Sequence, residues 1–443
     1  MPAYPFPPDF IFGCAAASYQ IEGAHDADGR GPSIWDAFCR RPGAILNGDS
    51  GDMACDHYHR WEQDLDMIAA MGLDAYRFSV AWPRILPEGT GTVNEAGLDF
   101  YDRLVDGMLA RGIKPVLTLY HWDLPLALEE QHGGWRSRAT AEAFGEYARI
   151  VAERLDDRVP YWTTFNEMPV FAELGYRLGI HAPGLKLDEK GVRTVIHNIL
   201  LAHGLGVQAM RATLPVHAKI GVVHNPWSCI PFIESDACIK AARQRWEYRN
   251  SWYLNPMFKG SYPSEQIGEL GAAIPEIRDG DMRAIHQPLD FLGLNIYSSQ
   301  AVVEDDGTER AYEKDFPTTD MGWQITPDVL YWALRFAHEL YAPPELLITE
   351  NGCAFDGQVN AQGRVEDYAR LEYMRGYLRG VQRAAAEGLP AKGYFAWSIL
   401  DNFEWSFGYA RRFGIVHVNF ETQKRTLKES AKWYSHVAKN RGM

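Results

Sequence analysis

The sequence predicts an α/β fold, a single (β/α)8 (TIM) barrel spanning residues 1–443 with extended βα loops. Eight short apolar runs of β type alternate with long amphipathic helical patterns, which is how a parallel sheet buried on both faces reads. No Pro/Gly/Ser-rich run, charge block or close internal repeat divides the chain into separate units. Successive strand ends lie roughly 40 to 70 residues apart, well beyond the dozen or so a minimal crossover needs, so several connections must be long.

The first strand is expected at Phe10–Ala15, with a helix at Arg60–Met71 before the second strand, Ala75–Val80. Glu95–Arg111 follows as a helix in which Leu98, Tyr101, Leu104, Val105 and Met108 share one face. Asn94 suits its N-cap and Gly112 its C′ stop. The third and fourth strands are Lys114–Leu119 and Trp162–Phe165, separated by a helix at Ala141–Leu155. A helix at Val192–Thr213 leads to the fifth strand, Lys219–Val223, and Phe291–Leu294 is the sixth. Helices at Pro327–Leu340 and Tyr368–Glu387 flank the seventh strand, Leu346–Thr349. Lys392–Ala396 is the eighth strand and Leu427–Asn440 the closing helix. A doubly wound open sheet competes with this reading, but it calls for a Gly-rich phosphate turn after an early strand. The match Gly204-x-Gly206-x-x-Ala209 lies instead inside the helical pattern Leu200–Met210, with no strand before it.

The balance of 44 Lys+Arg against 58 Asp+Glu gives a net charge of −14, which argues against a nucleic-acid or membrane partner. No stretch approaches the ~20 apolar residues of a membrane span. Met1–Pro8 has neither a basic nor an apolar signal region, and the six cysteines form no CxxC pair, so a cytoplasmic chain with reduced thiols is expected. Nothing in the sequence sets an oligomeric state.

Barrel enzymes place their chemistry at the C-terminal ends of the strands, and here all eight ends run into polar or aromatic residues. In order they are Ser18-Tyr19-Gln20-Ile21-Glu22, Arg77 with Trp82, Tyr120-His121-Trp122-Asp123, Asn166-Glu167, His224-Asn225, Asn295-Ile296-Tyr297, Glu350-Asn351, and Trp397 followed by Asp401, Glu404 and Trp405. Glu167 and Glu350 end strands four and seven, which face each other across the mouth. Two such carboxyls can divide glycosidic cleavage, one protonating the leaving oxygen and the other attacking the anomeric carbon, if their surroundings push their pKa values apart. Arg77 and the Tyr297 hydroxyl, both read as lying on strands near the seventh, are the groups available to hold one carboxyl ionised. Amides, imidazole and indoles suit a sugar's hydroxyls and C–H faces. Of 14 Trp, 22 Tyr and 20 Phe, the subset Tyr19, Trp122, Tyr297, Trp323, Trp397 and Trp405 is expected to line the pocket.

Other chemistries lack their residues. There is no HExxH, GxSxG or P-loop motif, so neither a metal nor another cofactor is expected. The pair His57 and His59 sits at a helix start, where a structural role is expected. Lys114, Lys219 and Lys392 occupy strand beginnings, the wrong end for Schiff-base chemistry.

These motifs resemble glycoside hydrolase family 1, the retaining enzymes of β-glucosidase type, over nearly the whole chain. The resemblance rests on Ser18-Tyr19-Gln20-Ile21-Glu22-Gly23, Arg77-Phe78-Ser79, Tyr120-His121-Trp122-Asp123-Leu124-Pro125, Thr164-Phe165-Asn166-Glu167, Ile348-Thr349-Glu350-Asn351-Gly352 and Asp401-Asn402-Phe403-Glu404-Trp405. It implies that Glu350 is the nucleophile and Glu167 the acid/base, with carboxyls about 5–5.5 Å apart. It implies further that Asn166 binds the sugar 2-hydroxyl and that Gln20, His121, Glu404 and Trp405 bind the 3-, 4- and 6-hydroxyls. Trp397 would floor the glycone site, and Arg77 and Tyr297 would orient Glu350. A non-proline cis peptide is expected at Trp397–Ser398. The substrate so implied is a small β-glucoside or short β-linked oligosaccharide; a β-galactosidase or β-fucosidase, and a sugar-binding barrel without catalysis, are the alternatives.

Two positions depart from the family pattern. Glu167-Met168-Pro169 replaces the usual Glu-Pro-Trp, so a proline stands where an aglycone-side tryptophan is expected, and Ile296 replaces the first tyrosine of Asn-Tyr-Tyr. The first departure bears on leaving-group preference and on inhibition by glucose. Glu404 at the 6-position argues against 6-phosphorylated sugars, and Glu167 against the branch that carries Gln there.

Overall fold

A computed structural model describes residues 6–443; Met1–Pro5, part of the segment read above for an export signal, lie outside the described residues. Eight parallel strands close into a barrel: β1 (Ile11–Ala15), β2 (Ala75–Ser79), β3 (Lys114–Tyr120), β4 (Tyr161–Asn166), β5 (Lys219–His224), β6 (Phe291–Asn295), β7 (Glu345–Asn351) and β8 (Ala391–Trp397). Each pairs with its neighbours in chain order, and β8 pairs with β1. From β3 onward every strand runs one or two residues past its expected end. The polar residues Asn166, Asn295 and Glu350 therefore belong to the ladder itself.

Side chains alternate across the barrel wall. Ile11, Ala75, Val116, Tyr161, Phe291, Leu347 and Phe395 fill the lumen, while Phe12, Tyr76, Leu117, Trp162, Leu292, Leu346, Ile348 and Tyr394 face the helices. Lys219 donates to Glu345 at 2.6 Å at the N-terminal end of the lumen, which gives that lysine a structural use away from the chemistry.

The expected helices form as His57–Met71, Glu95–Ala110, Arg138–Leu155, Glu189–Thr213, Val329–Tyr341, Tyr368–Ala386 and Glu429–Asn440. Asn94 precedes its helix as expected, but its amide does not cap it; it donates to the carbonyls of Asp28 and Arg84 at 2.8 and 2.9 Å. Leu427 is no part of the last helix, because Arg425–Leu427 pairs antiparallel with Val416–Val418. A long helix at Asp236–Lys259 is absent from the sequence reading. Its charged residues scatter around the cylinder and Pro256 sits inside it, so no clean apolar stripe marks it. Gly204 lies in mid-helix, where a Cβ would stand 1.9 Å from the Ala284 carbonyl oxygen. That glycine serves close helix packing rather than phosphate binding.

His57 is buried on Asp64 at 2.8 Å, and His59 bonds Asp56 at 2.7 Å. All six cysteines are buried and unpaired. Among the described residues no helix is long and apolar enough to cross a membrane.

Candidate active site

The alternation that builds the barrel would send Glu350 the wrong way. On β7, Leu346 and Ile348 face outward, so Glu350 would follow them toward the helices. The pairing register of β7 slips against both β6 and β8 just before Glu350. A local irregularity of this kind re-aims a side chain. Thr349 and Glu350 therefore both turn inward. On β4 a slip between Thr163 and Asn166 does the same. Thr164 reaches out to His203 at 2.7 Å and Phe165 packs on Phe144, after which Asn166 enters the lumen. The next residue, Glu167, has φ 53°, in the left-handed region that non-glycine residues rarely occupy. Trp122 (φ 80°) and Trp405 (φ 49°) share that trait, and such residues cluster where surrounding structure holds a functional geometry.

A cavity of about 490 Å³ opens at this end of the barrel. Ten of the thirteen residues singled out for the site from the sequence line it: His121, Trp122, Asn166, Glu167, Tyr297, Trp323, Glu350, Trp397, Glu404 and Trp405. Gln20 and Arg77 lie behind its wall, fully buried. Tyr19, expected in the pocket, instead stacks beneath Trp405 with the ring planes 7° apart.

Asn166 is the hub of the polar network. Its Oδ1 accepts from Arg77 Nη2 at 2.7 Å and Asn295 Nδ2 at 2.9 Å, its Nδ2 donates to His121 Nε2 at 3.1 Å, and its carbonyl accepts from Trp122 Nε1 at 2.9 Å. Because His121 Nε2 is an acceptor here, the ring proton sits on Nδ1, which has no protein partner. Burial, helped by the Arg77 charge, pushes the His121 pKa far down, so the ring is neutral. Gln20 Oε1 is likewise a buried acceptor without a partner, while Gln20 Nε2 holds the Phe403 carbonyl at 2.9 Å and Glu404 Oε2 at 3.4 Å. Burial and the nearby Glu350 charge lift Glu404 to about 8.

The two central glutamates have different company. Glu350 accepts from Arg77 Nη1 and from the Tyr297 hydroxyl, each at 2.5 Å. Arg77 does so from β2, three strands around the ring from β7. It is not a neighbour of the seventh strand, as the sequence reading had it, and its long side chain crosses the lumen. Glu167 accepts from neutral Asn295 Nδ2 at 2.8 Å. Burial raises both carboxyls, but Arg77 and Tyr297 pull Glu350 back down. Glu167 stays well above the ordinary range, raised by burial and by the Glu350 charge. Glu350 therefore ionises first and Glu167 keeps its proton, which is the division glycosidic cleavage asks for.

Trp397 lines the cavity, its ring nearly parallel to His121 (12°, centroids 5.7 Å apart), and the Trp397–Ser398 peptide is cis as expected. Trp323 arrives on the long loop after β6 and packs on Tyr297 at 5.2 Å. The sequence reading did not single out Asn295, which ties Glu167 to Asn166 and accepts from Thr349 at 2.7 Å. It also omitted His181, a buried ring beside Trp35, Trp122 and Trp405. Asn295 stood at a strand end and could have been found there; His181 comes from a loop no periodicity marks. His224 and Asp401, both at strand ends, serve the frame instead. His224 pairs with Asn250, and Asp401 is held by buried Lys428 at 2.7 Å and by Arg412 at 2.8 Å.

A closed parallel barrel with two unlike carboxyls over a ring-lined pocket is the architecture of a glycoside hydrolase. The profile of glycosyl hydrolase family 1 matches residues 3–443. The chain is 47% identical to β-glucosidase A of Thermotoga maritima over 442 residues, covering 99% of this chain and 98% of that protein. It is 48% identical to a β-glucosidase of an Agrobacterium species over 440 residues, covering 98% and 95%. The solved structure of the Thermotoga maritima β-glucosidase in complex with glucoimidazole superposes with a TM-score of 0.92 at 47% identity, covering 99% of this chain and 100% of that one. The chain belongs to glycosyl hydrolase family 1.

Proposed function

We propose that this chain is a retaining β-glucosidase in which Glu350 is the nucleophile and Glu167 the acid/base. The observation that carries the assignment is the asymmetry of the pair: a guanidinium and a phenol donate to Glu350, and a neutral amide to Glu167. A terminal β-glucosyl unit enters the pocket. Glu350 attacks the anomeric carbon as the glycosidic bond breaks, and the leaving oxygen takes the Glu167 proton, so the aglycone departs as an alcohol. Glu167, now a carboxylate, takes a proton from water as that water displaces Glu350. The sugar is released with its configuration retained and Glu167 is protonated again.

Orphaned His121 Nδ1–H and Gln20 Oε1 offer the donor and the acceptor for glycone hydroxyls, and the Trp397 and Trp405 rings offer faces for its C–H groups. The pocket lining contains no lysine or arginine to attract a 6-phosphate. That absence argues against phosphorylated sugars better than the charge of Glu404 does, since Glu404 is largely protonated near neutrality. The substrates are β-glucosides and short β-linked oligosaccharides, the whole chain acts as one catalytic domain, and the site of action is the cytoplasm.

Replacing Glu167 with Ala tests the acid role. Cellobiose turnover should fall by about a hundredfold or more, the usual range for a lost general acid. An activated dinitrophenyl glucoside, whose leaving group needs little protonation, should lose far less in glycosylation. The alkaline limb of the pH profile should also vanish. Equal losses on both substrates would overturn the role.

A second reading, β-galactosidase or β-fucosidase, draws on the contact of Gln20 Nε2 with Glu404 Oε2 at 3.4 Å, a pair that would serve either configuration of the 4-hydroxyl. Comparing kcat/KM for the three nitrophenyl glycosides decides it.

A further inference from the structure

Three strand ends that carry site residues are stitched together by side chains that do not themselves line the pocket. Ser18 opens the short helix Ser18–Ile21, whose third residue is Gln20. Its amide donates to Ser79 Oγ at 2.7 Å, at the end of β2, and the Ser79 hydroxyl donates to Ser18 Oγ at 3.1 Å. The Ser18 hydroxyl in turn donates to Asp123 Oδ2 at 2.6 Å, the length of a strong O–H···O bond. Asp123 stands two residues beyond His121 and one beyond Trp122, whose φ of 80° needs support from its surroundings. The Ser18 hydroxyl thus joins the stretch bearing Gln20 to the stretch bearing His121.

Asp123 is fully buried. The two arginines that line the same small chamber are spent elsewhere, Arg84 on Glu22 at 2.8 Å and Arg30 on Asp36 at 2.9 Å. Burial lifts the Asp123 carboxyl to about 7, against the pull of the Ser18 hydroxyl. An apolar side chain would sit there at less cost, so the carboxyl is poorly explained as a device for stability. The loop does not depend on it either. The Ile34 amide donates to the Leu124 carbonyl and the Leu126 amide to the Pro32 carbonyl, each at 2.8 Å. What the carboxyl does fix is where Ser18 stands relative to His121. Gln20 Oε1 and His121 Nδ1–H, the two orphaned groups offered to the glycone, hang from opposite ends of that tie.

We propose that Asp123 is a positioning residue for glycone recognition: by holding Ser18 it sets the spacing at which Gln20 and His121 meet the sugar's hydroxyls. The inference rests on the glucosidase reading and adds to it a residue that touches no substrate. Asn166, the expected partner of the 2-hydroxyl, is held separately by Arg77 at 2.7 Å and Asn295 at 2.9 Å. The tie therefore matters at the 3- and 4-hydroxyls and not at the 2-hydroxyl.

The test compares kcat/KM for nitrophenyl glucoside and its 2-, 3- and 4-deoxy analogues in the wild type, Asp123→Ala, Asp123→Asn and Ser18→Ala. In the wild type each missing hydroxyl carries a penalty. In Asp123→Ala the parent glucoside should lose about tenfold, the worth of one misplaced hydrogen bond, and the 3- and 4-deoxy penalties should shrink by the same factor. The 2-deoxy penalty should stay. Ser18→Ala deletes a single oxygen and reads the same hydrogen bond even where Asp123→Ala folds poorly. It should reproduce the pattern, and combining the two changes should add nothing. Asp123→Asn keeps an oxygen for Ser18 and should restore the wild-type penalties. Wild-type penalties in Ser18→Ala, equal shrinkage at all three positions, or Asp123→Asn behaving like Asp123→Ala would overturn the positioning role and leave the glucosidase reading intact. Failure of the wild type to turn over nitrophenyl glucoside would contradict the glucosidase reading itself, and the positioning role with it.

Discussion

Tyr297 gives direct access to the charge state of Glu350. Its hydroxyl donates to the carboxylate form, so Tyr297→Phe should let Glu350 hold its proton to higher pH. The acid limb of kcat/KM requires Glu350 ionised and should therefore move up, by about one pH unit. A hydrogen bond to a charged acceptor is worth roughly 1.5–3 kcal/mol, and one unit is about 1.4 kcal/mol. A pH profile with an unmoved acid limb and an unchanged kcat would show that Arg77 alone sets the charge. The sequence named both partners of Glu350, Arg77 within the second strand and Tyr297 just past the end of the sixth. It misplaced Arg77 as a near neighbour, since reach across a barrel lumen depends on side-chain length and lumen width rather than on strand adjacency. Asn295 was passed over for a related reason: its value lies in bridging the adjacent Asn166 and Glu167 to Thr349, which is distant in the chain.

Strands and helices were legible to different degrees. Near-continuous apolar runs located all eight strands, because burial on both faces leaves an unmistakable pattern. The register slips before Glu350 and Asn166 were invisible, since they depend on which neighbour each residue pairs with. Without them the even-numbered residues of β4 and β7 would face the helices and no site would form. The helix Asp236–Lys259 escaped because it is stabilised by contacts at several angles instead of along one stripe. Gly204 shows the packing element by element. Gly204→Ala should push the helix Glu189–Thr213 away from Asp281–Ile285 and cost about 1–3 kcal/mol, as overpacking does. Urea denaturation should show a lower midpoint with the same slope. An unchanged midpoint would mean that the two helices separate freely.

At the scale of the molecule, the net charge is −14, while no lysine or arginine lines the pocket and the arginine behind its wall, Arg77, is committed to Glu350. The aromatic excess divides between core and pocket, and Tyr19 shows that the boundary is a single layer of rings. The six thiols belong wholly to the core. Thiol titration should therefore find almost none reactive in the native enzyme and six in denaturant; fast native reaction would place at least one at the surface.

Covalent labelling tests whether Glu350 and Glu167 work as nucleophile and acid/base in a double displacement. The enzyme is incubated with an activated 2-deoxy-2-fluoroglucoside, digested, and its peptides are sequenced by mass spectrometry. A single 2-deoxy-2-fluoroglucosyl ester is expected on the peptide containing Ile348-Thr349-Glu350-Asn351, borne by Glu350. A label on Glu167 or Glu404, or turnover to the inverted sugar with no label at all, would contradict it.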